Sequence, residues 1–179
     1  MSGHSKWSQI KHKKGATDKK RSAMFSKLLK AVSIAARREA NPDFNPRLRA
    51  AITKAKENNV PNDNIERAIN KAGDDKELEE ITVEAYGPEK VAIIIEAITD
   101  NTNRTIAELR HLLDKNDAKM AERGSVLWSF DKQTDTENNE WQAKFKQAVS
   151  EDAKNKINSL IEKLDEHDDV QKIITNMQS

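Results

Sequence analysis

The chain has 179 residues, 36% hydrophobic and 34% charged, which is long enough for one or two domains with a real core and strongly solvated outside. It contains no Cys, which excludes disulfides, thiolate zinc sites and cysteine nucleophiles, and its longest strongly apolar run, Val91 to Ile95, is far short of the ~20 residues of a membrane helix. The formal charge of +1 hides an asymmetry, because Met1 to Gly73 carries 17 Lys and Arg against 6 Asp and Glu, whereas Asp74 to Ser179 carries 14 against 24. A basic half joined to an acidic half points to nucleic acid. The Lys-rich start has no apolar signal segment, so the cytoplasm is the expected location and Asn103-Arg104-Thr105 is expected to escape glycosylation.

Met1 to Thr17 contains no acid and little to bury, and it is expected to be a mobile tail. Three helices follow. The first runs from about Thr17 to Ala40, with Phe25, Leu28, Leu29, Val32 and Ala36 on one stripe and Lys20, Lys27, Lys30, Arg37 and Arg38 opposite. Asn41-Pro42 ends it. Asn45 caps the second helix, with Pro46 at its first position and Leu48, Ala51, Ile52 and Ala55 inward. The third starts near Pro61, buries Ile65, Ala68, Ile69 and Ala72, and stops at Gly73. Gly73 to Glu80 reads as an acidic linker.

The period then changes. Ile81, Val83 and Ala85 alternate as in a half-exposed strand, and Gly87-Pro88 is a turn. Val91 to Ile98 reads as a buried strand, and Asn103 to Asn116 as a helix with Ile106, Leu109, Leu112 and Leu113 inward. Ser125 to Phe130 reads as a strand and Gln133 to Asn139 as a loop. Trp141 to Phe145 is a short strand, Ser150 to Glu166 a helix capped by Ser150, and Val170 to Thr175 the last strand. Omitting the first strand, this order predicts a ferredoxin-like α+β domain after the three-helix domain. The expected division is a tail at 1–17, a basic helical domain at 18–76 and an acidic ferredoxin-like domain at 77–179.

No catalytic constellation is visible. The chain has no G-x-S-x-G, no P-loop and no dinucleotide fingerprint, and its four His are scattered. His167, within Asp165-Glu166-His167-Asp168-Asp169, reads as part of a solvated acidic helix end. We expect no enzyme activity, no cofactor and no metal site. Nucleic-acid contact needs cations on one surface, and the candidates are His4, Lys6, Trp7, Lys11, His12, Lys13, Lys14, Lys20, Arg21, Lys27, Arg47, Arg49 and Lys54. Trp7 either stacks on a base or packs with Ile10 on the helical domain. Trp128, Phe130, Trp141 and Phe145 read as core. The loop holding Asn101, Asn103, Arg104 and Thr105 is a secondary candidate, with Thr102 or Asn103 as helix cap and Arg104 able to meet an anion.

Several segments resemble one family. Met1-Ser-Gly-His-Ser-Lys-Trp-Ser-Gln-Ile-Lys-His-Lys-Lys14 is similar to the opening of the YebC/PmpR family. So are Asn45-Pro-Arg-Leu-Arg-Ala-Ala-Ile52, Asp63-Asn-Ile-Glu-Arg-Ala-Ile69, Tyr86-Gly-Pro88, Asp100-Asn-Thr-Asn-Arg-Thr105, Gly124-Ser-Val126 and Asp168-Asp-Val-Gln171. The resemblance implies a cytoplasmic, non-enzymatic DNA-binding transcriptional regulator. Its alternative is a ribosome-associated translation factor or translational activator contacting RNA. A protein-interaction module is a third reading. The resemblance also implies a third, inserted domain, which we expect to be absent here, since only Asp131 to Glu140 stands at its place. Asn116-Asp117-Ala118-Lys119 replaces the family's Gly-rich turn. The oligomeric state, the target sequence and the contacts of the acidic domain are not written in the chain.

Overall fold

The computed structural model describes residues 18–73, 78–133 and 140–178. The first half is three helices, α1 (Asp18–Ala36), α2 (Pro46–Glu57) and α3 (Asn62–Lys71). The predicted stripes meet in one core of Leu28, Val32, Ala36, Leu48, Ala55 and Ile65, edged by Phe25, Ile52 and Ile69. Asn45 is the hinge pin. Its Oδ1 accepts from the Leu48 N–H at 3.0 Å, capping α2, while its amide donates to the carbonyls of Ala35 and Glu39 at 2.8 and 2.7 Å. The Ala35 carbonyl is in the last turn of α1 and that of Glu39 in the turn after it, since α1 stops at Ala36 rather than running to Ala40.

The second half is an α+β unit. It comprises β1 (Glu79–Tyr86), β2 (Ala92–Thr99), α4 (Thr102–Asp114), β3 (Lys119–Met120), β4 (Phe130–Gln133), β5 (Glu140–Ala143), α5 (Glu151–Asp165) and β6 (Val170–Thr175). β3, β1, β2 and β6 form a four-stranded antiparallel sheet in that order, and β4 and β5 form a separate two-stranded ribbon. One sheet face buries Val83, Ala85, Ile93 and Ile95 under Leu109 and Leu113 of α4 and Ile157, Leu160 and Leu164 of α5. The other face is also covered. Ala92 and Ile94 pack on Val126, Phe130 and Trp141, and Ile98 packs on Ile34 and Leu78. Coverage on both faces explains why β2 is continuously apolar instead of alternating.

The α+β class stands, and β2 and β6 fall where periodicity puts them, but the other two strands of the sheet come from segments other than the expected ones. The first strand, set aside in the sequence reading, is an inner strand with partners on both sides. Ser125 to Phe130 is not a strand. It holds a short 3₁₀ turn at Leu127–Ser129, and the strand begins only at Phe130. The cause is Glu84, 3% exposed on β1. Its carboxylate accepts from the backbone N–H groups of Gly124, Val126 and Leu127 at 2.5, 2.7 and 2.9 Å, curling the segment around itself. Gly124 takes φ +87°, a conformation that suits glycine. Residues 74–77 of the expected linker and 134–139 of the expected loop lie outside the described residues. Leu78 to Glu80 are not linker, since Leu78 is buried and Glu79 opens β1.

Candidate nucleic-acid interface

The face of α1 opposite its helical-core stripe does carry the cations the sequence promised, but part of that face meets the second half of the molecule. Lys27 is 4% exposed and its ammonium donates to the Asp165 carbonyl at the end of α5. Burial pushes that ammonium below the ordinary lysine range, against the opposing pull of Asp165 and Asp168. Lys27 is therefore corrected from a surface contact to a docking residue. Lys30 reaches Asp169 Oδ1 at 2.5 Å, and Lys20 faces Glu166 at 3.4 Å with both side chains exposed. Arg37 donates to the Leu78 carbonyl, and Arg47 forks onto Glu80. Arg49 donates to the Pro42 carbonyl at 3.2 Å, and Lys54 is exposed. His4, Lys6, Trp7, Lys11, His12, Lys13 and Lys14 lie outside the described residues.

A groove runs between α1 and α3. Phe25 and Leu29 line it together with Arg21, Ser22, Ser26, Asn64 and Lys71. Arg21, exposed, is the one α1 candidate that combines an open surface with a place in this groove among the described residues. Lys71 and Phe44 were missed by the sequence reading. Phe44 is 78% exposed, at the turn between α1 and α2. Its turn is held by the Asn41 side chain, which accepts from Asp43 N–H at 2.9 Å, and by Asn45 beside it. The available signal was a lone aromatic belonging to no stripe, set between Asn41-Pro42 and Asn45-Pro46.

The loop before α4 is occupied with the protein's own charges. Asn101, not Thr102 or Asn103, caps the helix by accepting from Arg104 N–H at 3.0 Å. Thr102 instead donates to Glu79 at 2.8 Å, and Asn103 is exposed. The anion that Arg104 meets is internal: its guanidinium lies 3.0 Å from Asp169 and 2.9 Å from Asp100. Buried Thr105 donates to Asp169 Oδ2 at 2.6 Å and sits 2.7 Å from the Thr99 hydroxyl. The segment read as a solvated acidic end is thus partly inside, with Asp169 2% exposed. His167 accepts from the Asp169 N–H at Nδ1 and lies 2.9 Å from Glu108 at Nε2. Glu108, His167 and Asp169 are close enough to share an ion, but Lys30 and Arg104 already neutralise Asp169, so the group reads as an ion-pair network. At the turn before β3, Asp117 adopts φ 57°, taking the left-handed position that a glycine would fill more easily.

Comparison with known proteins identifies the family and the fold. The TACO1/YebC protein N-terminal domain matches residues 5–75, and the TACO1/YebC second and third domain matches 78–137 and 132–177. A protein of Desulfosudis oleivorans called a probable transcriptional regulatory protein is 54% identical over 136 residues, covering 74% of this chain and 55% of its own. One of the same description from Natranaerobius thermophilus is 53% identical over 136 residues, covering 74% of this chain and 54% of its own. The chain therefore spans about half the length of these curated relatives. The crystal structure of a conserved hypothetical protein from Aquifex aeolicus superposes with a TM-score of 0.84 at 30% identity, covering 97% of each chain.

Proposed function

The chain belongs to the TACO1/YebC family, and from that premise we propose that it is a non-enzymatic, cytoplasmic nucleic-acid-binding regulator of gene expression, acting on DNA in transcription. The observation that carries this reading is the cation density of the first half, 17 against 6 acids in Met1 to Gly73. The names borne by the relatives support the regulatory part. The groove between α1 and α3, with Arg21 and Lys71 on it, is the surface we assign to phosphate. The tail cations Lys11, Lys13 and Lys14 add to the positive charge of this half. Lys20, Arg47, Arg49 and Lys54 lie on the same half and are the next contacts in line. The two pieces in which the second-and-third-domain description matches meet beside β4 and β5, and we read that junction as the place of an absent inserted domain.

The test is a salt titration of the full chain on duplex DNA. If Arg21, Lys71, Lys11, Lys13 and Lys14 supply Z phosphate contacts, replacing them by Ala lowers the slope of log K against log salt by about 0.9 Z. An unchanged affinity and slope overturns the assignment. Binding that is confined to RNA, with co-migration on ribosomes, moves the target from DNA to the translation apparatus.

A further inference from the structure

Two aromatics expected in the core are outside. Trp128 is 60% exposed and Phe145 49%, and their ring centroids lie 5.6 Å apart. Tyr86 stands beside them, 36% exposed. The polar edges of two of these rings are turned inward onto one atom. The Tyr86 hydroxyl and the Trp128 indole N–H both donate to the Ser125 carbonyl, at 2.8 and 2.7 Å. The Ser125 carbonyl is itself held in place, because Glu84 clamps Gly124, Val126 and Leu127 around it. The hydrogen-bonding edges are thus spent on positioning, and the exposed surface of the rings is left to meet something else. A loop fixed by a buried carboxylate, with a large indole standing in water, is a costly arrangement for a residue with no partner.

The charge around these rings says what the partner is. Asp74 to Ser179 is acidic overall, with 14 Lys and Arg against 24 Asp and Glu. The two segments that carry the rings reverse that balance. Residues 119–131 and 143–147 hold Lys119, Arg123, Lys144 and Lys146 against Glu122 and Asp131. Lys144 is paired with Asp131 at 3.4 Å, which leaves Lys119, Arg123 and Lys146 exposed on these segments beside a single exposed acid, Glu122. Lys119 lies directly opposite Tyr86 in the β1–β3 register. Aromatic faces interleaved with cations fit unpaired bases strung on a phosphate backbone, since every base has a π-face and every phosphate a charge.

We propose that Trp128, Phe145 and Tyr86, flanked by Lys119, Arg123 and Lys146, form a stacking platform for single-stranded nucleic acid on the otherwise acidic half of the molecule. The inference rests on the chain being a nucleic-acid binder, and it adds a second site that prefers strands whose bases are free. The helical half takes phosphate in either a duplex or a single strand, whereas this platform distinguishes the two.

The experiment uses the full chain, with fluorescence anisotropy on an oligothymidine and on a blunt DNA duplex. Trp128→Ala combined with Phe145→Ala weakens oligothymidine binding by about fivefold or more and leaves duplex binding unchanged. Trp128→Phe, which keeps a ring, retains most of it. In a Trp7→Phe background, oligothymidine quenches the tryptophan emission, and the quenching disappears when Trp128→Phe is added. That readout does not depend on the alanine variant folding. Equal loss on both nucleic acids, or no loss and no quenching, overturns the platform while leaving the helical interface intact. Failure of the wild-type chain to bind either oligonucleotide overturns both readings. A peptide that protects Trp128 from quenching in the absence of nucleic-acid binding reassigns the platform to a protein partner.

Discussion

Asp169 sits 2% exposed, with Lys30 on one carboxylate oxygen and Arg104 and Thr105 on the other. Burial by itself raises its pKa. Hydrogen bonds from Lys30, Thr105 and Arg104 outweigh that effect and hold the carboxyl at about 2. An Asp whose folded pKa lies below the ordinary value stabilises the fold above that ordinary value, and the contribution is lost as pH falls through the folded one. Asp169→Asn is expected to cost about 2–3 kcal/mol at neutral pH, because charged hydrogen bonds are lost and two cations are left without their anion. Urea denaturation of variant and wild type should show the gap closing as pH drops from roughly 4 towards 2. A gap that stays constant over that window would mean that the carboxylate is not what stabilises. None of this was legible in Asp165-Glu166-His167-Asp168-Asp169, which reads as a solvated run. The face of a helix that seeks water cannot be told from the face that meets a complementary charge until the other element is in place, and the same ambiguity hid Lys27.

The elements whose making is local were the legible ones. Asn45 and Ser150 are legible as caps because each is the single capping residue before its helix, whereas Asn101-Thr102-Asn103 offers three candidates for one cap; Ser150 accepts from Ala153 N–H at 3.2 Å. α5 and β6 follow their periodicity. The segment around Trp128 failed because its shape is dictated by Glu84, forty residues earlier in the chain. Val126, Trp128 and Phe130 do alternate, yet the turn at Leu127–Ser129 sends Trp128 outward while Val126 and Phe130 are buried. Glu84→Gln would turn one of the two accepting oxygens into a donor, facing either the Gly124 N–H or the pair from Val126 and Leu127. It is expected to cost about 2 kcal/mol and to speed amide exchange at Gly124, Val126 and Leu127. Unaltered exchange at those three amides would show that the loop holds its shape without the carboxylate.

For the whole molecule, the sequence suggested two units joined by a flexible acidic stretch, each complete in itself. The structure docks them. Ile34 of α1, Leu78 and Ile98 of β2 share one buried cluster, and Lys27 and Lys30 reach the end of α5 and the loop after it. Helical signal and tryptophan emission should therefore report one coincident thermal transition. Ile34→Asp, which puts a charge into that cluster, is expected to separate the two signals, with the helical half melting first. Two transitions already present in the wild type would mean that the docking is too weak to couple the halves. The ribbon of β4 and β5 points to something of a different kind. Its outermost pair is Gln133 and Glu140, so the chain leaves and re-enters the ribbon at directly opposed residues, about 5 Å apart. Any folded segment whose two ends lie that close can be added or lost there without moving a single strand of the sheet. The ribbon is a port at which evolution can change the size of the protein while the rest of the architecture keeps its register.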